Sequence, residues 1–272
     1  MNIPEDNNTI NYIISQIKRI VYYFERYKLM IYRLVHKSYC SKQDRYPLIS
    51  IIIPTFNRSL ILRKCAIPAI LKQTYRNFEV IVIGDNCTDN TEQMFLKIRD
   101  PRFSFFNLQK KSMYPKDIRN RWFVGGSIPA NYALDQVHGK WIAWSDDDEI
   151  WDKNHLKNLL DYAGKNSLEF VSASYETVIN KQKNIIDVKN ENPRIGGHST
   201  WLYRSYLRFF KYNTQSWRKR WDRPTDIDMQ IRMYQAGVKM GFCDKIVTRV
   251  ISRPGQKSIG LKAHLQYDRK LQ

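Results

Sequence analysis

Four adjacent carboxylates, Asp146, Asp147, Asp148 and Glu149, form the stretch of this sequence best suited to chemistry. They directly follow an apolar run, WIAWS, in a chain whose formal net charge is +19. Carboxylates so crowded repel one another unless water or a cation relieves them. A hard divalent cation such as Mg²⁺ or Mn²⁺ prefers oxygen ligands and is often shared with substrate phosphates. The stretch is therefore either a solvated turn or a cation and phosphate site, and the preceding apolar strand favours the site.

Two further apolar runs end in polar residues that could act together with these carboxylates. The run ISIIIP is followed by Thr55 and Asn57, and the run FEVIVIG is followed by Asp85. Continuous β-branched runs are typical of strands buried on both faces of a parallel sheet. Ligands bind outside the carboxyl ends of such strands. We therefore expect the three polar strand ends to share one site.

The elements around these strands alternate between strand and helix. This alternation predicts an open, doubly wound α/β sheet. Pro68 is expected to kink or split the first helix. In the first half we expect helices at 59–73, 88–98 and 128–137, strands at 102–108 and 140–145, and a mobile loop at 109–127. In the second half we expect a strand at 167–179, a polar excursion or hairpin at 181–197, a helix at 225–237 and closing strands at 238–251.

The N-terminal part of the chain has a different character. Residues 9–39 place apolar side chains at mostly three- and four-residue steps, which predicts one amphipathic helix, and a linker follows at 41–47. From Lys18 to Arg45 there are eight basic residues and two acids. Two interpretations stay open. The helix packs on its own domain or on a partner subunit, or it lies in the plane of an anionic membrane surface, which suits basic residues and interfacial tyrosines.

Composition narrows the class of protein. The chain has 272 residues, of which 43% are hydrophobic, so a disordered protein is excluded. Its 45 Lys and Arg against 26 Asp and Glu predict attraction to nucleic acid, an acidic membrane face or phosphorylated substrates. Four cysteines without CxxC spacing argue against a zinc site or a disulfide framework. The polar N-terminus is not that of a signal peptide, and no apolar run is long enough to span a membrane. We expect a cytoplasmic protein that can attach to the inner face of the cell membrane.

Three motifs in order carry a resemblance to a known family. The segments ISIIIPTFNR, QTYRNFEVIVIGDNCTDNT and GKWIAWSDDDEIWDKNHL together resemble the nucleotide-sugar domain of the family 2 glycosyltransferases. The resemblance implies an α/β fold with a GT-A-type (Rossmann-like) open mixed sheet flanked by helices, preceded here by the amphipathic helix. It covers roughly residues 48–251. The implied organisation is an N-terminal helix and linker at 1–47, a nucleotide-sugar-binding subdomain at 48–165, and an acceptor-binding subdomain with a C-terminal tail at 166–272.

The resemblance also implies an activity and roles for individual residues. The activity is inverting, metal-dependent transfer of a sugar from a nucleotide-diphosphate sugar to a hydroxyl acceptor, with Mn²⁺ or Mg²⁺ as cofactor. Asp148 is the implied direct metal ligand, supported by Asp146 and Asp147 through ribose or water, and Glu149 lies outside them. Asp85 is implied to contact the nucleotide base. Further implied donor-site residues are Pro54, Thr55 and Asn57 in the first-strand loop, and Asn131.

An inverting reaction needs a general base that deprotonates the acceptor hydroxyl. The segment PTDIDMQIRMYQAG resembles the family's base-bearing helix and places Asp226 at the base position. The alternative for Asp226 is a helix-capping carboxylate. Asp228 is the second candidate base, and Asp222 is expected to pair with nearby arginines. His198 could contact metal or phosphate, although a structural or acceptor-facing role is favoured.

A basic and aromatic segment, residues 204–223, could bind an anionic partner or could be a folded flap with solvated charges. With transferase motifs present, a lipid-linked or glycan acceptor at an anionic membrane surface is favoured over nucleic acid, in surface polysaccharide or lipid-linked glycan synthesis. The alternatives are a protein or small soluble acceptor, and a non-catalytic polyanion-binding protein on the same scaffold.

Overall fold

The structure of the protein is a computed structural model, and it describes residues 7–36, 46–186, 188, 193–218, 221–252, 258 and 260–268. The expected linker lies almost entirely outside these residues, as does part of the polar excursion at 181–197. The strands are β1 (Ile49–Thr55), β2 (Phe78–Gly84), β3 (Phe103–Asn107), β4 (Trp141–Trp144), β5 (Glu149–Trp151), β6 (Phe170–Ile179), β7 (Gln182–Ile186), β8 (Leu202–Arg204) and β9 (Met240–Ile251). They form one mixed sheet in the order β3-β2-β1-β4-β8-β6-β9-β5, with β7 paired to β6.

The first half of the sheet is parallel. Strands β3, β2, β1 and β4 pair in that order and run in the same direction. The register places Thr55 opposite Gly84, so β1 and β2 end level with each other. β4 ends at Trp144, opposite Ile52, and the four carboxylates therefore begin beside the last residues of β1. The three polar strand ends meet at one edge of the sheet, as expected.

The second half of the sheet is mostly antiparallel. β8 is antiparallel to both β4 and β6, and β5 is antiparallel to β9, whereas β6 and β9 are parallel. β6 and β7 form a hairpin, so the start of the polar excursion expected at 181–197 pairs back onto the strand before it. The turn residues of this hairpin, Asn180 and Lys181, both have positive φ, 51° and 68°. This backbone twist is the one that two-residue hairpin loops favour.

Helices form where they were predicted, although the one expected at 59–73 is split, and the structure adds helices at 118–124, 155–165 and 260–268 that were not predicted. The helix expected at 59–73 is split at Cys65, three residues before Pro68, so the proline lies in the first turn of the second piece, where it is tolerated. The loop expected at 109–127 contains a helix capped by Asp117, whose side chain accepts a hydrogen bond from the Asn120 amide. The helices are α1 (Asn7–Val35), α2 (Ser59–Lys64), α3 (Ala66–Leu71), α4 (Thr91–Leu96), α5 (Ile118–Val124), α6 (Ser127–Asp135), α7 (His155–Lys165), α8 (Thr225–Ala236) and α9 (Gly260–Asp268).

The hydrophobic core lies on both faces of the sheet. Alternate residues of β1 point to opposite faces, because successive side chains in a strand do so. Ile51 and Ile53 pack in one cluster with Leu62 and Leu159, and Ile52 packs in the other with side chains of α6 and α8. Burial on both faces explains why the strand reads as an unbroken apolar run.

The N-terminal helix α1 packs on α8 through its charged side. Glu25 forms an ion pair with Arg232, and Arg33 forms a bidentate pair with Glu169 at 2.6 and 2.5 Å. Leu29 is buried between them. The structure thus agrees with the interpretation that α1 packs on its own domain, through ion pairs together with Leu29 and the Tyr32 ring, which stacks on Phe209 at 5.0 Å.

Candidate active site

The ends of β1, β2 and β4 are joined by direct hydrogen bonds. The Thr55 hydroxyl donates to Asp147 Oδ2 at 2.7 Å, and the Asp85 amide donates to the Thr55 carbonyl at 2.9 Å. All three residues are buried. Pro54, which precedes Thr55, lines the same cleft. The predicted convergence of Pro54, Thr55, Asp85 and the carboxylates is therefore present in the structure.

Arg58 is a site residue that the sequence reasoning missed. Its guanidinium donates to Asp147 Oδ1 at 2.7 Å and approaches Asp148 Oδ2 at 3.4 Å. With the Thr55 hydroxyl on Oδ2, both oxygens of Asp147 are engaged. The available signal was the position of Arg58 one residue after Asn57 in the first-strand loop. Arg58 supplies positive charge inside the cleft, beside the place where carboxylates are most crowded.

Asp146, which is half-buried, and Glu149, which is buried, form a carboxyl pair. Burial and the neighbouring Asp148 carboxylate raise the pKa of Asp146 to about 7, although the Trp144 indole donates to Asp146 Oδ1 at 3.2 Å. Burial and the charge of Asp146 raise the pKa of Glu149 well above its usual value. A hydrogen bond joins the two carboxyl groups, and burial is the largest cause of the raised pKa of each.

Asp85 is held by the segment that follows β3. Its Oδ1 accepts a hydrogen bond from the Ser112 amide at 2.9 Å, and Tyr114 lies beside it in the cleft. Burial raises the pKa of the Tyr114 phenol, which is therefore neutral. Ser112 and Tyr114 belong to the stretch expected to be a mobile loop. The hydrogen bond to Asp85 fixes part of that stretch at the rim of the site.

α8 brings a separate carboxylate to the same cleft. Asp226 lies in the first turn of α8 and lines the cleft, and burial raises its pKa. Asp228, the second candidate, is buried two residues further on, where it pairs with Arg232 at 2.8 Å. Asp222 pairs with Arg119 at 2.9 Å, as expected. Of the three carboxylates, Asp226 is the one whose position suits contact with a substrate.

His198 sits against aromatic rings at the back of the cleft. Its ring centre is 4.1 Å from that of Trp144, and its Nε2 is 2.8 Å from the Tyr212 hydroxyl. Burial lowers the pKa of His198 to about 3, so the imidazole is neutral. Because Nε2 is already hydrogen-bonded, this placement favours the structural alternative over metal binding.

Two predicted donor-site asparagines hold the backbone together. Asn57 has a positive φ of 51°, and its side chain carbonyl accepts from the Thr88 amide at 2.8 Å, which ties the first-strand loop to the second. The Asn131 side chain bonds to both backbone groups of Tyr212, at 2.7 and 2.9 Å. Both side chains thus join backbone segments of different loops.

The aromatic side chains of the basic segment 204–223 are mostly in the core. Tyr206, Phe210 and Tyr212 are buried, and Arg204 lies 4.1 Å from the Trp141 ring centre. Lys211 pairs with Asp135. A stacking platform for nucleotide bases needs exposed rings. The buried rings therefore favour the folded-flap interpretation for this part of the segment.

The assembled cleft has a volume of about 790 Å³, and its carboxylates come from three places. Four follow β4, Asp85 follows β2, and Asp226 lies on α8. Lys111, Arg58 and Arg121 also line the cleft and provide positive charge for a phosphorylated ligand. Such a cavity is large enough for a nucleotide-sized ligand.

The residues in the cleft fit a divalent cation that shares its coordination with a substrate. Among the described residues, no three His, Cys, Asp or Glu side chains form a ready-made ligand set. Both oxygens of Asp147 accept hydrogen bonds, from Thr55 and Arg58, so Asp148 and Asp146 would be the oxygen ligands. Mg²⁺ and Mn²⁺ sites are often completed by water and substrate phosphates rather than by protein alone.

Comparison with known proteins identifies the family. The profile described as "Glycosyl transferase family 2" matches residues 50–223, more than half of the chain. This protein belongs to glycosyl transferase family 2. The matched residues include the three polar strand ends. They stop two residues before α8 and so do not include Asp226.

Characterised relatives of this glycosyltransferase act on lipid-linked glycans, according to their names. It is 32% identical over 133 residues to the Escherichia coli UDP-Glc:alpha-D-GlcNAc-diphosphoundecaprenol beta-1,3-glucosyltransferase WfgD, covering 49% of this chain and 47% of the relative. It is 31% identical over 121 residues to the Campylobacter jejuni GalNAc(5)-diNAcBac-PP-undecaprenol beta-1,3-glucosyltransferase, covering 44% of this chain and 35% of the relative. The glycosyltransferase thus spans about half the length of WfgD and less of the second relative.

Solved structures with the same fold confirm the expected GT-A-type mixed sheet. Residues 1–349 of Staphylococcus aureus TarS, in complex with UDP-GlcNAc, give a TM-score of 0.59 at 19% identity, covering 77% of this chain and 60% of that one. The mannosyltransferase PcManGT from Pyrobaculum calidifontis, in complex with GDP-Man and Mn²⁺, gives a TM-score of 0.58 at 14% identity. This alignment covers 96% of this chain and 76% of that one. Within the part of the glycosyltransferase that the structure describes, no helix is long and apolar enough to cross a membrane.

Proposed function

We propose that this glycosyltransferase moves a sugar, with inversion, from a nucleotide-diphosphate sugar to a hydroxyl of a lipid-linked acceptor at the inner face of the cell membrane. The observation that carries the proposal is that Asp226 and the carboxylates after β4 line one cavity. Inversion requires a donor site and a base on opposite sides of the reacting carbon. These two separate carboxylate sets in one cleft suit that arrangement.

Asp226 is the proposed general base. Its raised pKa suits a group that must accept a proton from a hydroxyl near neutral pH. Asp228 is committed to Arg232, and Asp222 to Arg119, so neither competes for the role. In the proposed step the acceptor oxygen bonds to the sugar carbon and gives its proton to Asp226. The bond from that carbon to the diphosphate oxygen breaks, and the electron pair leaves with the diphosphate.

The donor is proposed to lie along the strand ends. Asp85 binds the nucleotide, while Pro54 and Thr55 line its path towards the carboxylates. A Mn²⁺ or Mg²⁺ ion, held by Asp148 with Asp146, would supply positive charge that stabilises the leaving diphosphate. Arg58 orients Asp147 and adds a fixed cation at the same end of the cleft. Asn57 and Asn131 keep the surrounding loops in place.

The lipid-linked acceptor is inferred from the relatives. WfgD and the Campylobacter enzyme carry a diphosphoundecaprenol acceptor in their names, and the cleft of this protein contains cationic side chains for a diphosphate. The proposed process is therefore synthesis of a surface polysaccharide or a lipid-linked glycan. A protein or small soluble acceptor is the alternative that an acceptor screen would reveal.

A donor screen tests the proposal. Purified protein is incubated with Mn²⁺ or Mg²⁺ and a panel of uridine, guanosine and thymidine diphosphate sugars, with and without an undecaprenyl-diphosphate-linked sugar. Released nucleotide diphosphate is measured. We expect release with one donor, stimulated by the lipid-linked acceptor. No release with any donor, together with salt-sensitive binding of nucleic acid, would favour a non-catalytic polyanion-binding protein instead.

A further inference from the structure

The outward side of α1 is an unusual surface for a globular domain. Eleven large apolar or tyrosine side chains between residues 12 and 35 are 38% to 71% exposed. The six most exposed are Tyr12, Ile20, Tyr23, Phe24, Leu34 and Val35. At about 100° per residue they and their neighbours fill a continuous sector of roughly 140° of the helix. Leu60 and Leu96 are exposed apolar side chains in other parts of the domain.

The inward side of α1 is mixed, since Leu29 and Tyr32 pack on a core cluster beside charged residues, whereas most apolar side chains of the helix face outward. Its inward side carries Lys18, Glu25 and Arg33, which meet Trp221, Arg232 and Glu169. These specific contacts hold the helix with its apolar sector facing away from the domain. An apolar surface of this length, displayed by fixed ion pairs, indicates that something apolar covers it.

Charge identifies the kind of partner. Arg19 and Arg26 flank the apolar sector on one side, and Lys28 flanks it on the other. The single acid of α1, Glu25, is turned inward to Arg232. A second copy of the same face would bring like charges together. An anionic lipid surface instead offers acyl chains to the apolar sector and headgroup phosphates to the basic flanks, while Tyr12, Tyr23 and Tyr27 suit the interface between them.

We propose that the outward side of α1 is the surface by which this protein lies on an anionic bilayer, with the helix axis in the membrane plane. This proposal rests on the proposed function, because it assumes that the acceptor is linked to a membrane lipid. The groove of about 800 Å³ between α1 and the end of α8, lined by Arg26, Tyr27 and Leu34, opens on the same side and offers room for headgroups.

The arrangement sets the height of the active site above the membrane. Contacts along α1 and α8 proceed in the same order, from Lys18 near Trp221, through Glu25 with Arg232, to Arg33 with the Gly237 carbonyl. The two helices therefore run side by side in the same direction. Packed helices lie about 8–10 Å apart. Asp226, at the start of α8, is thus separated from the bilayer by about one helix layer, which a diphosphate-linked sugar can span.

Vesicle flotation of the full chain tests the proposal. The vesicles are a phosphatidylglycerol and phosphatidylcholine mixture or phosphatidylcholine alone, and the fraction of protein that floats is measured. We expect flotation with the anionic mixture only. Ile20→Ser with Phe24→Ser should reduce the bound fraction at least tenfold, and Arg19→Gln with Arg26→Gln should weaken binding and its dependence on salt. Leu60→Ser with Leu96→Ser removes two exposed apolar residues elsewhere and should bind as the parent chain does.

Two further measurements keep the outcome unambiguous. Circular dichroism and release of nucleotide diphosphate from the donor alone should be the same in the α1 variants and the parent, since these residues lie outside the cleft. If the parent chain releases no nucleotide diphosphate from any donor, the proposed function is wrong. The flotation result would still decide the membrane proposal. Equal flotation of the parent and the Ile20, Phe24 double variant would overturn the membrane proposal. So would sedimentation that shows a dimer of the parent and a monomer of that variant.

Discussion

The Glu25 carboxylate of α1 forms a buried ion pair with Arg232 of α8, and Arg232 in turn binds Asp228 at 2.8 Å. The N-terminal helix, which lies outside the family match, is thereby joined to the helix that presents Asp226 to the cleft. The position of the proposed base therefore depends in part on a residue about two hundred positions earlier in the chain.

Glu25→Gln should destabilise the protein, because it leaves the buried Arg232 guanidinium with less compensating charge. We expect a loss of about 1–3 kcal/mol in the free energy of unfolding, since Asp228 and the Lys211 carbonyl still bind Arg232. Urea unfolding monitored by circular dichroism measures it. Glu92→Gln, at an exposed position of α4, serves as the control. Equal stability of both variants would show that the ion pair contributes nothing.

Asp226→Asn should abolish transfer and spare donor binding. Loss of a general base lowers the rate about 10²- to 10⁴-fold, whereas an amide of the same size keeps the shape of the cleft. Transfer is followed by radiolabelled sugar in the lipid product, and donor affinity by calorimetry. Asp222→Asn, which disrupts the exposed pair with Arg119, should transfer at nearly the parent rate. A fully active Asp226→Asn variant would exclude this aspartate as the base.

Arg58→Met should weaken donor binding roughly tenfold, which corresponds to about 1.4 kcal/mol. The change removes a cation from the cleft and leaves Asp147 with Thr55 as its hydrogen-bond donor. Arg58→Lys should recover only part of the affinity, because the shorter lysine side chain does not bring its ammonium group to the place of Nη1, the guanidinium nitrogen that contacts both Asp147 and Asp148. Donor titration by calorimetry measures both. Arg63→Met, on the exposed end of α2, is the matched control and should leave affinity unchanged.

The stability of the metal-free protein should fall as the pH rises from about 4 to 7. The pKa of Asp146 is about 7 in the folded protein and about 4 in an unfolded chain, so the folded state binds more protons across this window. Each excess proton lowers stability by up to about 1.4 kcal/mol per pH unit. The free energy of unfolding of Asp146→Asn should therefore fall less steeply with pH. Relative to the parent, the variant should become more stable as the pH approaches 7. Parallel curves for the two proteins in urea unfolding would contradict the raised pKa.

Two glycine substitutions should have opposite effects on stability. A Cβ on Gly84 would lie 2.6 Å from Asn107 Oδ1, which accepts a hydrogen bond from the Cys87 amide, so Gly84→Ala must displace the loop that carries Asp85. We expect a loss of about 1–3 kcal/mol and weaker donor binding. Gly164→Ala adds a Cβ with no heavy atom within 4 Å, in the last turn of α7, and should stabilise by about 0.5 kcal/mol. Thermal unfolding of both variants checks the signs.

The sequence was informative where chemistry and periodicity coincide. The apolar runs of β1, β2 and β4 end in polar residues, and the sheet register brings those ends together. Arg58 was not found, because a single arginine in a loop has no periodicity and gains its meaning only from Asp147, 89 positions later. The split at Cys65 was expected at Pro68, since the proline is the visible helix breaker while the actual break depends on packing.

The orientation of α1 could not be predicted from its pattern. Its apolar stripe indicated a face to bury, but which face meets the domain is decided by Arg232 and Glu169, whose positions depend on the tertiary fold. Asn57 and Asn131 show the same limit. Their positions in the motifs suggested ligand contacts, whereas their amides are used to join Thr88 and Tyr212 to neighbouring loops. Whether they also touch a donor stays a prediction.

The unbroken ladder of the sheet has a consequence for how substrates enter and leave. Backbone pairing continues from β4 through β8 to β6, so the half that carries Asp85 and the half that leads to α8 share one rigid frame. A hinge between the halves would have to break those pairings. Admission of the donor and departure of the spent nucleotide must therefore depend on segments at the rim, such as the stretch that carries Ser112 and Tyr114, and the turnover rate is expected to follow how quickly that rim rearranges.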